Sequence, residues 1–431
     1  MLHSNLSVNN DGHLMFAEMD TIKLAEKYGT PLYLMDEARI RQNCRIYTES
    51  MEKYFGPGSR PLFASKACCF KQMYRIMKEE NMYSDVVSSG ELYTALQVDF
   101  PAEHIFFHGN NKTDYDIEYA ISNNIGYFIV DNEEELIAVN ECAKKHNIKQ
   151  QILLRLTPGI DPHTHKKIST GYLGAKFGVA IETGQADDFI KLALSLNNID
   201  LKGYHCHVGS QIFDYKPFKD AADIMLSYSK NILDKFNYYP EILDLGGGFG
   251  VRYVESDPQM DYAENIKNLA AEIKLTCETI GIPVPNILLE PGRSIVADCG
   301  ITLYTVGSVK SSNENMNYVS IDGGMTDNPR YTLYEAEHTV VIANRMDESP
   351  NFNATIAGRC CESGDLIMEN VSVVKPKRGD IVATFVTGAY NYTMASNYNR
   401  IPRPPVVMIK NAEDYIAVRR ESFEDLDRND I

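Results

Sequence analysis

The sequence predicts an α/β protein: an eight-stranded β/α (TIM-like) barrel followed by an all-β sheet domain. Two observations predict it. From about residue 36 to about residue 300, short apolar runs alternate with helix-patterned stretches, eight runs in about 265 residues. After residue 300 the helical period stops, and β-branched runs separated by turn residues take over. The expected organisation is a segment 1–35 that joins the β domain, a barrel over 36–300 and a β domain over 301–431.

In chain order, LSVNNDGHLMF reads as a hairpin around Asn10, Asp11 and Gly12, and DTIKLAEKYG as a helix that Gly29 terminates. Helix-patterned DEARIRQNCRIYTESMEKYF precedes the first barrel strand, PLFA. The further strands are YSDVVS, HIFFHG, IGYFIVD, QILLRL, KGYHCHVG, EILDLGGG and NILLEPG, with a helical stretch before each. The β domain is assigned the strands ITLYTVGSV, MNYVSID, HTVVIA, ATIAGRC, DIVATFV, PPVVMIK and DYIAVRR.

With 431 residues, 44% of them hydrophobic, the chain can bury a large core. Acidic residues outnumber basic ones 59 to 42, a formal net charge of -17, and no long basic run offsets it. That balance argues against nucleic acid or an anionic membrane surface as partner and for a small metabolite. No run of about 18 apolar residues suggests a membrane span and the first residues lack a signal pattern, so a cytoplasmic protein is expected. Nine cysteines without framework spacing fit reduced thiols, and the adjacent pairs Cys68–Cys69 and Cys360–Cys361 do not suit CxxC metal chemistry. No structural metal is expected.

Lys66, Asp85, His108, Asp131, Arg155, His207, Gly246 and Glu290 fall at the carboxyl ends of the eight runs. In a β/α barrel that rim gathers catalytic groups, because the strands fix positions and the loops bring side chains. Lys66 closes the apolar run Leu62–Ala64. It is either a lysine whose ammonium snorkels to water or a neutral amine held ready to bond a carbonyl. In DLGGGFG (244–250) three adjacent glycines let backbone N–H groups approach an anion, although such clusters also make plain tight turns. EPGR (290–293) sets the carboxylate of Glu290 close in sequence to the guanidinium of Arg293. His205 and His207 alternate onto one side of a strand, as a metal pair or as packed histidines. Cys361 in CCESGD is flanked by acids rather than bases, a setting that favours the protonated thiol and a proton donor. A lysine, an anion cradle, a strand-end carboxylate and such a thiol together describe a site for pyridoxal 5'-phosphate.

At these residues the sequence resembles the group IV pyridoxal-phosphate decarboxylases with an alanine-racemase-type barrel, and within them the members that act on meso-2,6-diaminopimelate. The motifs are SDVVSSGELYTAL, HGNNK, PGIDPHTHKKISTG with KFG, HCHVGSQI, DLGGGFG, EPGR, CESGD and GAYNYTMASNYN, spread over nearly the whole chain. The resemblance implies that Lys66 carries the cofactor, His207 stacks on its ring and Glu290 meets the pyridine nitrogen. Ser210, Gly246, Gly247, Gly248, Gly292, Arg293 and Tyr390 bind its phosphate or lie beside it. Cys361 protonates the carbon left when carbon dioxide departs. A homodimer is implied, with the CESGD loop reaching into the partner's site, and so is the last step of lysine synthesis, meso-2,6-diaminopimelate to L-lysine and carbon dioxide.

For the small amino-acid substrate, the resemblance assigns the distal carboxylate to Arg293, Arg330 and Tyr334, the distal ammonium to Glu362 of the partner subunit, and a place at the substrate to Tyr390. Arginine suits that task because its planar fork binds a carboxylate through two hydrogen bonds. The sequence departs from the family around the lysine, where Ser65 precedes Lys66 and Ala67, Cys68 and Cys69 follow it, and at Ala175 before KFG. These departures concern packing near Lys66 and leave the reaction type intact. Two other readings stay open here: a decarboxylase of another basic amino acid or of carboxynorspermidine, and a decarboxylase-like binding protein without chemistry. The presence of both Lys66 and Cys361 weighs against the second.

Overall fold

The computed structural model describes residues 1–160, 176–313 and 316–431. Most of the PGIDPHTHKKISTG motif, and Ala175, lie outside the described residues. The described chain divides into two compact units, one of Cys44–Gly250 with Met260–Gly292 and one of Met1–Asn43, Val251–Gln259 and Arg293–Ile431.

The first unit is the barrel. Its strands are β1 (Arg60–Ala64), β2 (Tyr83–Val86), β3 (Ile105–Phe107), β4 (Tyr127–Val130), β5 (Gln150–Thr157), β6 (Ile199–His205), β7 (Ile242–Asp244) and β8 (Asn286–Leu289). Each pairs in parallel with the next, and β8 closes on β1 through Leu288 with Arg60 and Leu289 with Pro61. Closure leaves no free sheet edge. The strands are short and buried nearly throughout, as a sheet covered by helices on one face and filled by side chains on the other requires. Leu62, Phe106, Ile129, Leu153, Ile242 and Leu288 form one apolar cluster with Tyr83 and Tyr127 packed on it. Phe106 and Tyr127 stack at 4.3 Å between ring centroids. The barrel interior is therefore a packed core, and polar chemistry is left to the rim.

Helix starts follow local chemistry. Ser88 caps Ser89–Leu96 by accepting from the Glu91 amide at 3.2 Å, Asn132 caps Glu133–Lys145, and Thr113 with Asp116 makes a reciprocal capping box on Asp114–Ser122.

In the second unit the 14-residue strand Gly300–Asn313 is central. Its first half pairs with Leu32–Asp36 on one side and Ile381–Phe385 on the other, and its second half with Met316–Ile321. Val406–Lys410 and Glu413–Val418 extend the sheet beyond Leu32–Asp36, while Phe352–Ala357 and Leu366–Val373 extend it beyond Met316–Ile321. Val340–Ile342 pairs with Ile381–Phe385. Besides the two-residue strand Met19–Asp20, two strands here carry no sequence assignment, Leu32–Asp36 and Leu366–Val373. The first is buried throughout and lacks alternation; the second is interrupted by Glu369 and Asn370, which sit on its exposed stretch. The amino-terminal hairpin pairs Leu6–Val8 with Leu14–Phe16, which Met19–Asp20 joins as a separate three-stranded sheet. Helix Thr21–Tyr28 ends at Gly29 with φ +70°.

Candidate functional site at the barrel rim and an arginine–tyrosine cluster

Strand β1 ends at Ala64, and the chain turns at once into the single 3-10 turn Ser65–Ala67 that presents Lys66. Two carboxylates from the next βα segment fix this turn. Asp85 Oδ1 accepts from the Ser65 amide at 3.1 Å; Glu91 Oε2 accepts from the Ser65 hydroxyl at 3.0 Å and from the Val87 amide at 2.7 Å. Ser65, Ala67 and Cys68 are buried while Lys66 is exposed, so the turn anchors its flanks and leaves the lysine side chain on the accessible side of the rim. Burial pushes the Asp85 and Glu91 carboxyls up, Asp85 strongly, and the Lys66 ammonium opposes that rise at both. The Ser65 departure from the family thus adds a hydroxyl to the clamp, beside a backbone amide that any non-proline residue would supply. Burial also pushes the Cys69 thiol up to about 12, so neither it nor the fully buried Cys68, whose thiol is raised for the same reason, is a thiolate beside the lysine.

Across the rim, Glu290 follows the last residue of β8. Its Oε1 lies 2.9 Å from His108 Nε2 and 3.3 Å from His205 Nε2, and the two imidazoles meet edge to face at 5.0 Å. All three side chains are buried. Burial favours a neutral carboxyl, but the two imidazoles outweigh it and hold Glu290 well below the usual carboxylate range. Asp244, at the end of β7, is driven the opposite way, well above the usual carboxylate range, by burial and by the Glu290 charge; its Oδ1 accepts from the Gly246 amide at 2.8 Å. His205 is pushed down to about 4, mainly by burial. Ligand atoms of His108, His205, Asp244 and Glu290 all lie within 4.8 Å of one another. His108, Asp244 and Glu290 are the partners of His205 that sequence spacing does not show, because they come from the ends of three other strands.

His205 and His207 do not act as a strand pair. Strand β6 ends at His205, which is fully buried, and His207 stands two residues beyond it, half-buried and close enough to Lys66 for the ammonium to depress its imidazole further, after burial itself. Arg155, inside β5, is buried with its guanidinium 4.3 Å over the Phe177 ring and its Nε 4.0 Å from Asp131.

The glycine run is sterically obligatory. A Cβ on Gly247 would stand 2.0 Å from the Glu290 carbonyl oxygen, and one on Gly248 2.2 Å from that of Gly209; Gly246 and Gly248 have φ of +69° and +133°. The loops after β6, β7 and β8 therefore meet backbone to backbone. Gly292 packs likewise, its Cβ position 2.8 Å from Ala64 Cβ. Ser210, between Gly209 and Gln211 in the same loop, is half-buried.

The remaining expected residues belong to the other unit. Arg293 donates to the Tyr253 hydroxyl at 2.8 Å, and its guanidinium lies 4.9 Å from the Tyr390 ring centre. Arg330 lies 5.2 Å over Tyr253, 5.7 Å over Tyr390 and 6.0 Å over Tyr334. Two buried guanidiniums thus share tyrosine faces, and the Arg330 Nε has no hydrogen-bond partner among the described residues. Tyr390 holds φ +64°, a conformation costly for a side-chain-bearing residue. Tyr253 carries no sequence assignment, and His338 is expected only as the first residue of the strand HTVVIA, which begins two residues later at Val340. The Tyr253 phenol is lowered by the two arginines despite its burial, and His338 stacks edge to face on it at 5.3 Å with Nδ1 3.0 Å from the Phe385 carbonyl. The signal for Tyr253 was its position just after DLGGGFG.

Cys361 and Glu362 are exposed on the loop that Asp365 ties down through the amides of Met325 (2.5 Å) and Cys360 (2.6 Å). Cys361 itself meets Asn399 and Tyr398, with its amide donating to Asn399 Oδ1 at 2.7 Å.

A barrel rim with a clamped lysine, a buried ionised carboxylate and a glycine loop of bare backbone defines an enzyme of the pyridoxal-phosphate type. Residues 37–297 match the family model for the pyridoxal-dependent decarboxylase pyridoxal-binding domain. The chain is 43% identical to a diaminopimelate decarboxylase of Bacillus methanolicus over 97% of each chain, and 42% identical to that of Bacillus subtilis over 100% of this chain and 98% of the relative. A crystal structure of diaminopimelate decarboxylase from M. jannaschii in complex with L-lysine superposes with a TM-score of 0.90 at 35% identity, covering 100% of this chain and 98% of that one. The chain belongs to the diaminopimelate decarboxylase family of pyridoxal-dependent decarboxylases.

Proposed function

We propose that this protein decarboxylates meso-2,6-diaminopimelate to L-lysine with pyridoxal 5'-phosphate. The observation that carries the reading is the opposed pair at the rim: Lys66 on a turn fixed by Asp85 and Glu91, and Glu290 kept ionised in a buried site by His108 and His205. When bound, pyridoxal phosphate supplies an aldehyde for amine capture and a protonated ring that takes up the electrons left by departing carbon dioxide.

The residues fit that group. Lys66 would hold the cofactor through its aldehyde. Glu290 would meet the pyridine nitrogen and favour its protonated form, because a carboxylate beside two imidazoles stays negative. His207 would lie against the ring. Ser210, Gly246, Gly247, Gly248, Gly292, Arg293 and Tyr390 receive the phosphate, the glycines through amides that no Cβ obstructs. Arg293, Arg330, Tyr334 and Tyr390 orient the substrate: a buried guanidinium with a free Nε gains most from a distal carboxylate, which lysine and ornithine lack.

Cys361 holds the proton delivered to the α-carbon, and Glu362 takes the distal ammonium. Both sit on an exposed loop, and we assign their work to the partner's site in a homodimer with shared active sites. The proposed setting is cytoplasmic. Among the described residues no helix is long and apolar enough to cross a membrane.

The test is carbon dioxide release by the purified protein with added pyridoxal phosphate, from meso-diaminopimelate beside L-lysine, L-ornithine, L-arginine and carboxynorspermidine. Release from diaminopimelate alone is expected. Release from another substrate overturns the carboxylate clamp, and none from any of them overturns the activity. Lys66→Ala should abolish turnover, and dilution to a verified monomer should abolish activity too.

A further inference from the structure

Helix Asp114–Ser122 and helix Glu133–Lys145 lie side by side on the outside of the barrel, following β3 and β4. Cys142 and His146 are four residues apart, so they share one face of the second helix, and Glu118 of the first helix faces both. Cys142 Sγ donates to Glu118 Oε2 at 3.2 Å, and His146 Nε2 lies 2.7 Å from Glu118 Oε1. One carboxylate thus meets a thiol with one oxygen and an imidazole with the other. The three ligand atoms lie within 4.8 Å of one another.

From this geometry we propose that Glu118, Cys142 and His146 form a surface site for a divalent transition metal of the zinc class, with water as fourth ligand. Sulfur, nitrogen and oxygen donors suit a borderline-soft ion. Bonds of about 2.0–2.3 Å in a tetrahedron require donors about 3.3–3.8 Å apart. The His146 contact with the carboxylate must therefore open by about 0.6–1.1 Å and the Cys142 contact by about 0.1–0.6 Å to admit the ion. The side chains that must move are free to do so: Glu118 is 52% and His146 33% exposed, whereas Cys142 is the fixed point in the helix interface. Solvent on the open side provides the water.

On binding, the Cys142 S–H bond breaks, the thiolate bonds the ion and the proton passes to bulk water. His146 closes its helix four residues before β5 begins at Gln150, which puts the site at the end of the barrel opposite Lys66 and Glu290. The ion would clip two neighbouring helices together, and its effect is on stability rather than on the reaction.

Cobalt(II) titrated into the purified, pyridoxal phosphate-loaded protein tests this. A thiolate-to-cobalt charge-transfer band saturating at one ion per chain is expected, with affinity lowered at least about tenfold in Cys142→Ser and in His146→Gln and unchanged in Cys361→Ser. Zinc should raise the thermal midpoint of the wild type and leave those of the first two variants unmoved. The thiolate band also separates this site from the buried His108, His205, Asp244 and Glu290 group, which has no sulfur. A band that survives Cys142→Ser, or a wild type with no band in excess cobalt, overturns the proposal.

Discussion

His108 Nε2 and Glu290 Oε1 stand 2.9 Å apart with both side chains buried, and His205 approaches the same oxygen at 3.3 Å. The position of the two histidines makes them keepers of the Glu290 charge. A carboxylate in so buried a site would otherwise take up a proton and lose its hold on a cationic ring nitrogen.

Replacing His108 by Phe removes one of the two groups that hold Glu290 ionised. The expected outcome is a fall in kcat of about 10- to 100-fold with little change in KM, and an acidic limb of the pH–rate profile moved toward neutrality. Glu290→Gln should cost more, about 10²–10³-fold in kcat. A His108→Phe enzyme with the wild-type profile would show that the contact serves packing alone.

Arg330→Met keeps the apolar stem and deletes the buried cation. KM for meso-diaminopimelate should rise about 100-fold or more, while affinity for pyridoxal phosphate, measured by quenching of tyrosine fluorescence, stays near wild type. An equal loss in both would place Arg330 at the phosphate instead.

Gly247→Ala drives a methyl group to within 2.0 Å of the Glu290 carbonyl oxygen, backbone against backbone. The loops after β7 and β8 must part, at a cost of about 1–3 kcal/mol. Urea unfolding should show the loss, and cofactor affinity should fall with it. Gly281→Ala, where a Cβ meets nothing within 4 Å but φ is +71°, separates backbone strain from the clash.

Stability should depend on pH through the buried histidines. His205 is pushed down to about 4 and His338 to about 3 from an ordinary 6.5, so below pH 6.5 the unfolded chain binds more protons than the folded one. Their contribution is complete above pH 6.5 and declines as pH falls toward 4, by about 1.4 kcal/mol per pH unit for each histidine. Urea midpoints measured at pH 7, 6 and 5 should decline, and less steeply in His205→Asn.

The alternation of apolar runs and helices determined the barrel, since short buried strands and amphipathic helices can bury their faces together in few ways. The same pattern put Lys66, Asp85, His108 and Glu290 on one rim, because every strand of a parallel barrel ends on the same side. Local spacing could not show which of them touch: Glu290 meets His108 and His205 only because β3, β6 and β8 curve around a shared axis. Nor could it show that Tyr253 and His338 pack with Arg293 and Arg330, or that Cys142 and His146 face Glu118 across a helix pair. Those contacts join residues distant along the chain, and closure and packing decided them. Strand Leu32–Asp36 was missed for a related reason: with both faces buried it loses the alternation that marks a strand, and its pairing with Gly300–Asn313 exists only in the folded chain.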